Sequence, residues 1–295
     1  MQNALKFLFV VNPVSGGKGK QNLEAAIHEY FKPLPHQLEF FLLTGKNDAA
    51  SLNHWISTWK PDRVIAVGGD GTVSLVAKQL LGSDIAMGIV PAGSANGMAK
   101  ELDIKLGIAD VLDILVNGEV RRADVIRINN DHFCLHLSDI GLNAQLIKYF
   151  EEKNIRGLIG YGGALLRTLW RKRRIYVTIE TRNREIKREA LMVVLANATK
   201  YGTGAVINPA GDLYDGLFEV VVVKNLAIFE LLRMVFKTKR FNPKNVEIFH
   251  TRHVTIETKH RVHFQVDGEY LSKISRLQAQ IEAAQLNLLL PKESS

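Results

Sequence analysis

"VIAVGGDGTVSLVAKQL", residues 64–80, decides how the first half of this chain folds. Val64, Ile65, Ala66 and Val67 are β-branched or small, the composition of a buried strand. From Thr72 onward Val73, Val76, Ala77 and Leu80 recur at helical spacing. Gly68, Gly69, Asp70, Gly71 and Thr72 therefore fill a strand-to-helix turn. Such a turn exposes backbone N–H groups beside a helix N-terminus, which suits a phosphate. A lone carboxylate is a poor phosphate ligand, so Asp70 reads as a metal-binding group or as a base.

Outward from this turn, the first part of the chain alternates strand and helix. Strands are expected at Phe7–Val11, Leu38–Leu43, Arg63–Val67 and Ile85–Val90. Helices are expected at Gln21–Phe31, Asp48–Trp59, Thr72–Leu81, Ser94–Leu102 and Ile108–Val116. This order predicts a parallel, helix-covered sheet. From about Val120 short alternating strands dominate, as in "RRIYVTIETRNREIKREALMVVLANA" and "VTIETKHRVHFQVDGEY", which predicts a largely antiparallel second domain. Helical patterns interrupt it at Asn143–Glu152, Gly157–Trp170 and Leu226–Phe236. No low-complexity linker separates the halves, so two closely packed domains with a cleft are expected.

The chain has 295 residues, enough for two domains, and 46% hydrophobic residues supply ample core. Cys134 is the single cysteine, so no intrachain disulfide forms, and a reducing, cytoplasmic setting is expected. "MQNALKFLFVVNPVSGG" reads as the first strand and not as a signal peptide, because Lys6 breaks the apolar run. No run of about 18 uncharged apolar residues occurs, so no membrane span is expected. The formal net charge of +8 points to anionic partners.

Two more Gly-rich turns accompany the first. "NPVSGGKGK", residues 12–20, follows strand 1 and is not a Walker A loop, because Gln21 stands where Ser or Thr is required. Asn12, Ser15 and Gly16 suit a phosphate or adenine pocket, and equally an ordinary turn. "VPAGSANGMAKEL", residues 90–102, offers Gly93, Ser94 and Asn96. Ser94 is a good helix N-cap, which leaves Asn96 and Gly97 surplus. In an open parallel sheet the turns after the strands share one edge, where ligands bind.

In the second half, "NPAGDLYDGLFEVVVV", residues 208–223, holds Asp212 and Asp215 three apart. The spacing suits a hard divalent cation and equally a plain Asp-Gly turn. "HFQVDGEYL" sets Glu269 after an Asp-Gly turn. "WRKRR", residues 170–174, is a dense basic run beside the apolar, Gly-rich "GLIGYGGALLRTLW". Each Lys or Arg held near an anionic bilayer gains ~1 kcal/mol, so Arg171, Lys172, Arg173 and Arg174 are candidates for docking to an anionic membrane. The run has few interleaved aromatics, so nucleic acid is not expected as a partner.

The motifs "NPVSGG", "GGDGT", "PAGSANGMAKEL", "DIGLNAQLI", "NPAGDLYDGLFEV" and "VDGE" stand in the order of the diacylglycerol kinase catalytic-domain family, which this sequence resembles over nearly its whole length. That family includes bacterial lipid kinases, sphingosine kinases and ceramide kinases. The resemblance implies an NAD-kinase-like α/β domain with a parallel sheet over residues 1–123, to which 285–295 return. It also implies a mainly antiparallel β-rich domain for the lipid substrate over 124–284. The implied activity is ATP- and magnesium-dependent phosphorylation of a lipid hydroxyl, diacylglycerol-like or sphingoid. Gly68, Gly69, Asp70, Gly71, Thr72 and Ser74 correspond to the family's contacts with ATP phosphates, and Asn12, Thr44 and Ser94 to its nucleotide site. Asp215 corresponds to a metal ligand, joined by carbonyls of Asp212 and Leu217, and Glu269 to the proton acceptor.

Ser94 and Gly97 depart from the P-x-G-T-x-N-D wording of bacterial members toward the sphingosine-kinase style. The implied partners are a lipid in or from a membrane and the anionic membrane surface, so peripheral attachment is expected, and a homodimer is compatible with the reading. The alternatives are an NAD kinase, which carries an Asn-Glu pair absent from this sequence, and an inactive lipid-binding or regulatory protein of the same fold, against which Asp70, Asp215 and Glu269 stand.

Overall fold

The computed structural model describes residues 4–15, 20–104, 107–153, 174–182, 184–201, 205–206, 208, 211–225, 242 and 244–292. The chain divides into two compact units, one of Met1–Ala123 with Ala284–Ser295, the other of Asp124–Ala283.

The first unit runs β1 (Lys6–Val11), α1 (Lys20–Phe31), β2 (Gln37–Leu42), α2 (Asp48–Trp59), β3 (Arg63–Gly68), α3 (Asp70–Leu80), β4 (Ala86–Pro91), α4 (Gly97–Glu101) and α5 (Ile108–Asn117). The strands are parallel, in the order β4-β3-β1-β2. Val64, Ile65 and Ala66 are fully buried, because helices cover both faces of a parallel sheet. Phe7, Phe9, Phe31 and Phe40 stack or meet edge to face beneath α1, a geometry that aromatic quadrupoles favour. The parallel register aligns Val11 with Leu42 and Val67, and Gly68 with Pro91. The turns after all four strands therefore emerge along one sheet edge.

The second unit contains the second half of β5 (Glu119–Ile128), β6 (His132–Cys134), β7 (Leu137–Gly141), α6 (Leu142–Lys153), β8 (Ile175–Thr181), β9 (Arg184–Ala190), β10 (Met192–Ala196), β11 (Lys200–Tyr201), β12 (Ala205–Val206), β13 (Phe218–Val223), β14 (Val246–Thr251), β15 (His253–Val266) and most of β16 (Glu269–Leu290). Its pairings are antiparallel. The period-2 alternation of strands divides β10 and β13 between two cores. Val193, Leu195, Phe218 and Val220 join one, and Val194, Ala196, Val221 and Val223 the other. Burial on both faces explains why "FEVVVV" is an unbroken apolar run apart from Glu219. At its far end β16 belongs to the first unit, where Leu288 pairs parallel with Met87.

The fold has the expected class: an α/β unit with parallel strands, and a β-rich antiparallel unit. Most expected ends in the first unit hold to within one residue, and two helix starts move further. The helix placed at Ser94–Leu102 is the five-residue α4, which begins at Gly97. The helix placed at Thr72–Leu81 begins two residues earlier, at Asp70. The helical patterns at 157–170 and 226–236 lie outside the described residues. No described helix is long and apolar enough to cross a membrane.

Candidate functional site

In the first unit two Gly-rich turns interlock. A Cβ added at Gly93 would stand 2.5 Å from the Gly69 Cα, and one at Gly68 would stand 2.3 Å from the Thr72 hydroxyl oxygen. Gly69 and Gly93 are therefore fixed by close approach of two backbones and Gly68 by the Thr72 side chain folded over it, contacts that only a residue without Cβ permits. The Ala92 N–H donates to the Gly68 carbonyl at 2.9 Å and ties the turns together. Gly71 differs: a Cβ there meets nothing within 4 Å, and the residue is exposed. The structural demand thus falls on Gly68, Gly69 and Gly93, while Gly71 borders open space.

Asn12, from the turn after β1, donates from Nδ2 to the Thr72 hydroxyl at 3.2 Å, and its N–H bonds to Val67 O at 3.1 Å. Thr72 and Ser74 are buried on α3. Asp70 opens α3, and its Oδ1 accepts the Met98 N–H at 3.2 Å. Its carboxylate therefore reaches the first turn of α4, a place that favours negative charge. Asn12, Gly68, Gly69, Asp70, Thr72 and Gly93 are brought together in this way.

Thr44 sits after β2 on the same edge. Its hydroxyl and N–H both bond to Asp48 Oδ1 at 2.9 Å, and the Gly45 N–H bonds to Oδ2. The bond from the Thr44 N–H is the main reason the Asp48 carboxyl is held below its usual range. Thr44 is thus committed to its own loop. Ser94 is exposed and does not cap α4. The N-cap is Asn96, in left-handed conformation, whose amide bonds to the Gly93 N–H at 2.8 Å and to the Gly93 carbonyl at 2.9 Å. Asn96, surplus in the sequence, closes the turn because its side chain matches a main-chain donor and acceptor on one residue.

In the second unit Asp212 and Asp215 are exposed and sit in one turn. Each uses Oδ1 for the N–H two residues ahead, Tyr214 at 2.9 Å and Leu217 at 2.8 Å. Both carboxylates thus brace the turn through Oδ1, and Oδ2 of each carries no hydrogen bond among the described residues. Magnesium accepts one or two carboxylates with carbonyls and water, so this oxygen-rich turn fits that ion. No cluster of three His, Cys, Asp or Glu suited to a metal occurs among the described residues. Behind the turn, buried Asp124 accepts the Gly216 N–H at 2.7 Å. Glu219 is buried too, bonded to Asn208 Nδ2 and lying 2.6 Å from His250 Nδ1. Burial raises the Glu219 pKa, the Asn208 and His250 bonds pull it back, and the Asp215 charge raises it further.

Glu269 is exposed and follows Asp267 and Gly268, both at positive φ, 49° and 86°. That backbone is the type I′ hairpin expected of Asp-Gly. The sequence reading passed over Asp124 and Glu219, whose signal is a charged residue inside an apolar strand run. It also passed over Asp267, which looks like an ordinary turn residue. In the basic run, residues 171–173 lie outside the described residues, and Arg174 bonds to Glu189 and Asn225.

Two family models match this chain: the diacylglycerol kinase catalytic domain over residues 6–128, and the YegS C-terminal NAD kinase beta sandwich-like domain over 139–290. The chain belongs to this lipid kinase family, and is thereby a phosphotransferase. It is 23% identical over 269 residues to a diacylglycerol kinase of Bacillus subtilis, covering 88% of each chain. It is 26% identical over 234 residues to lipid kinase YegS of Escherichia coli, covering 77% of this chain and 78% of that one. The solved structure of a diacylglycerol kinase from Bacillus anthracis superposes with a TM-score of 0.77 at 19% identity, covering 99% of each chain. An NAD kinase from Archaeoglobus fulgidus, in complex with ATP, gives 0.56 at 13% identity, covering 97% of this chain and 94% of that one. Both share its fold.

Proposed function

We propose that this protein transfers the γ-phosphoryl group of ATP to the hydroxyl of a diacylglycerol-like or sphingoid lipid, with magnesium. The observation that carries the reading is the glycine-on-glycine contact of Gly69 with Gly93, beside exposed Gly71, at the C-terminal edge of a parallel sheet. Phosphoryl transfer demands positioning and charge neutralisation more than covalent chemistry by the protein. The backbone N–H groups of Gly69, Asp70 and Gly71, at the α3 N-terminus, supply fixed donors for phosphate oxygens. Asn12 and Thr72 hold the adjacent turn against that one. Asp70 contributes a charge suited to positioning magnesium-bound nucleotide.

Asp212 and Asp215, with the Leu217 carbonyl, would hold a magnesium ion within the second unit, where it supplies structural and electrostatic support. Glu269 takes the proton of the lipid hydroxyl as the oxygen attacks phosphorus. Its exposed carboxylate is accessible to an entering alcohol, and such a base is worth typically ~10²–10⁴-fold. The lipid comes from a membrane, and the basic run ending at Arg174 docks the protein on an anionic surface.

The deciding experiment incubates purified protein with labelled ATP, magnesium, a total lipid extract and NAD. A labelled lipid phosphate is expected, and label on a dinucleotide alone would replace this reading with the NAD kinase one. Vesicle co-sedimentation should strengthen with anionic lipid and weaken with salt; indifference to both removes the docking role.

A further inference from the structure

We propose that Asp267 and Gln265 are positioning residues for Glu269, bolting the turn that presents it to the buried start of α6; this rests on Glu269 as proton acceptor. The Asp267 carboxylate accepts three successive backbone N–H groups, Leu135 and His136 at 2.9 Å each and Leu137 at 3.2 Å. The Cys134 sulfur lies 3.4 Å from the same group, and the Asp267 N–H returns a bond to the Leu137 carbonyl at 2.9 Å. The second turn residue is fastened independently. The Gly268 N–H donates to Gln265 Oε1 at 2.8 Å. Gln265 is buried, and its Nε2 donates to buried Asp139. Asp139 accepts the Ala144 N–H at 2.9 Å and the Asn143 amide at 2.6 Å, which fixes it to the first turn of α6.

An Asp-Gly hairpin of type I′ needs none of this, since its own backbone preference closes the turn. Around Asp267 the conformation is over-determined from two directions, and a sparsely populated positive φ is held in place. The next residue, Glu269, is exposed; its main chain pairs with Val266, and its carboxylate has no hydrogen bond or ion pair among the described residues. A rigid, buried mount behind an uncommitted exposed acid is the arrangement that preorganises a proton acceptor. Charge-assisted bonds from three amides supply the stiffness.

Asp267→Asn tests the mount while retaining the turn, because Asn-Gly is as good a type I′ pair. It loses the charge that gathers the three amides. Turnover is expected to fall about tenfold with KM for ATP unchanged, as misplacement of a reacting group predicts. In a Glu269→Gln background the same change should cost nothing further, since both act through one group. Full turnover in Asp267→Asn, or losses that add, overturns the positioning role while Glu269 as acceptor stands. Normal turnover in Glu269→Gln alone overturns both. Should Asp267→Asn fail to fold, amide exchange on the unaltered protein decides. The N–H groups of Leu135, His136, Leu137 and Gly268 should exchange as slowly as those of β15, and exchange at exposed-turn rates overturns the mount.

Discussion

The two units build their candidate sites from opposite materials. In the first, the proposed working parts are main-chain N–H groups, and what shapes their turn is missing side-chain volume at Gly68, Gly69 and Gly93. In the second, the proposed working parts are exposed carboxylates on turns, Asp212, Asp215 and Glu269. What shapes those turns is a second set of acids behind them: Asp124 and Glu219 for one, Asp267 and Asp139 for the other. A backbone site fails when atoms are added, whereas a carboxylate site fails when a supporting charge is removed. Burying a charge is costly unless it is hydrogen-bonded, and for that reason Asp139 and Asp267 carry three donors or more each.

The sharpest break of this comparison is Glu269→Gln, expected to lower turnover by about 10²–10⁴-fold with ATP binding near normal. The acidic limb of the pH–rate profile should vanish with it. If that limb instead persists and Asp70→Asn abolishes it with ATP binding intact, the first unit supplies the base. Next in size is adding a methyl in the first unit. Gly93→Ala forces a backbone shift against Gly69, a destabilisation of about 1–3 kcal/mol by analogy with overpacked cores. ATP affinity should fall with it, as read by calorimetry and thermal unfolding. Gly71→Ala has room for its Cβ. Its melting temperature should be unchanged, so any loss of ATP affinity there reports the ligand alone.

Asp215→Asn should act more weakly, raising the magnesium requirement several-fold while sparing nucleotide affinity. The magnesium-induced rise in melting temperature should shrink in parallel, which separates metal binding from catalysis. Collapse of ATP affinity with unchanged metal dependence would move Asp215 out of the metal turn.

The smallest effect concerns stability of the first unit. His36 Nδ1 accepts the Leu5 N–H at 3.2 Å, a bond that needs the neutral ring. Burial, aided by the Arg63 charge, lowers its pKa from 6.5. A His with a lowered folded pKa contributes stability above its ordinary value and loses it as pH falls through the lowered one. The melting temperature should therefore decline modestly below about pH 6.5, and His36→Gln should flatten that decline. An identical slope in the variant assigns the decline to other groups.

Much of this was legible along the chain. β-branched runs, helical spacing and Gly-rich turns marked the strands, helices and ligand edge of the first unit, because these signals are local. Glu219 and Asp124 were not legible. A carboxylate in a strand looks like a surface residue until both faces of its sheet prove buried. Ser94 and Asn96 exchanged roles for a related reason: both are good caps by composition, and only the Gly69–Gly93 approach decides which reaches the Gly93 amide.

The sequence by itself determined the fold class, the family and the identity of the turns, since each depends on residue type and spacing within about a dozen positions. The tertiary structure alone decided which glycines are spatial necessities and which acids stand behind the exposed ones. Those facts depend on pairs far apart in the chain, Gly69 with Gly93, Asp124 with Gly216 and Asp267 with Leu135, Leu137 and their neighbours. A carboxylate's task is set by the donors that surround it, and packing brings those donors from other strands.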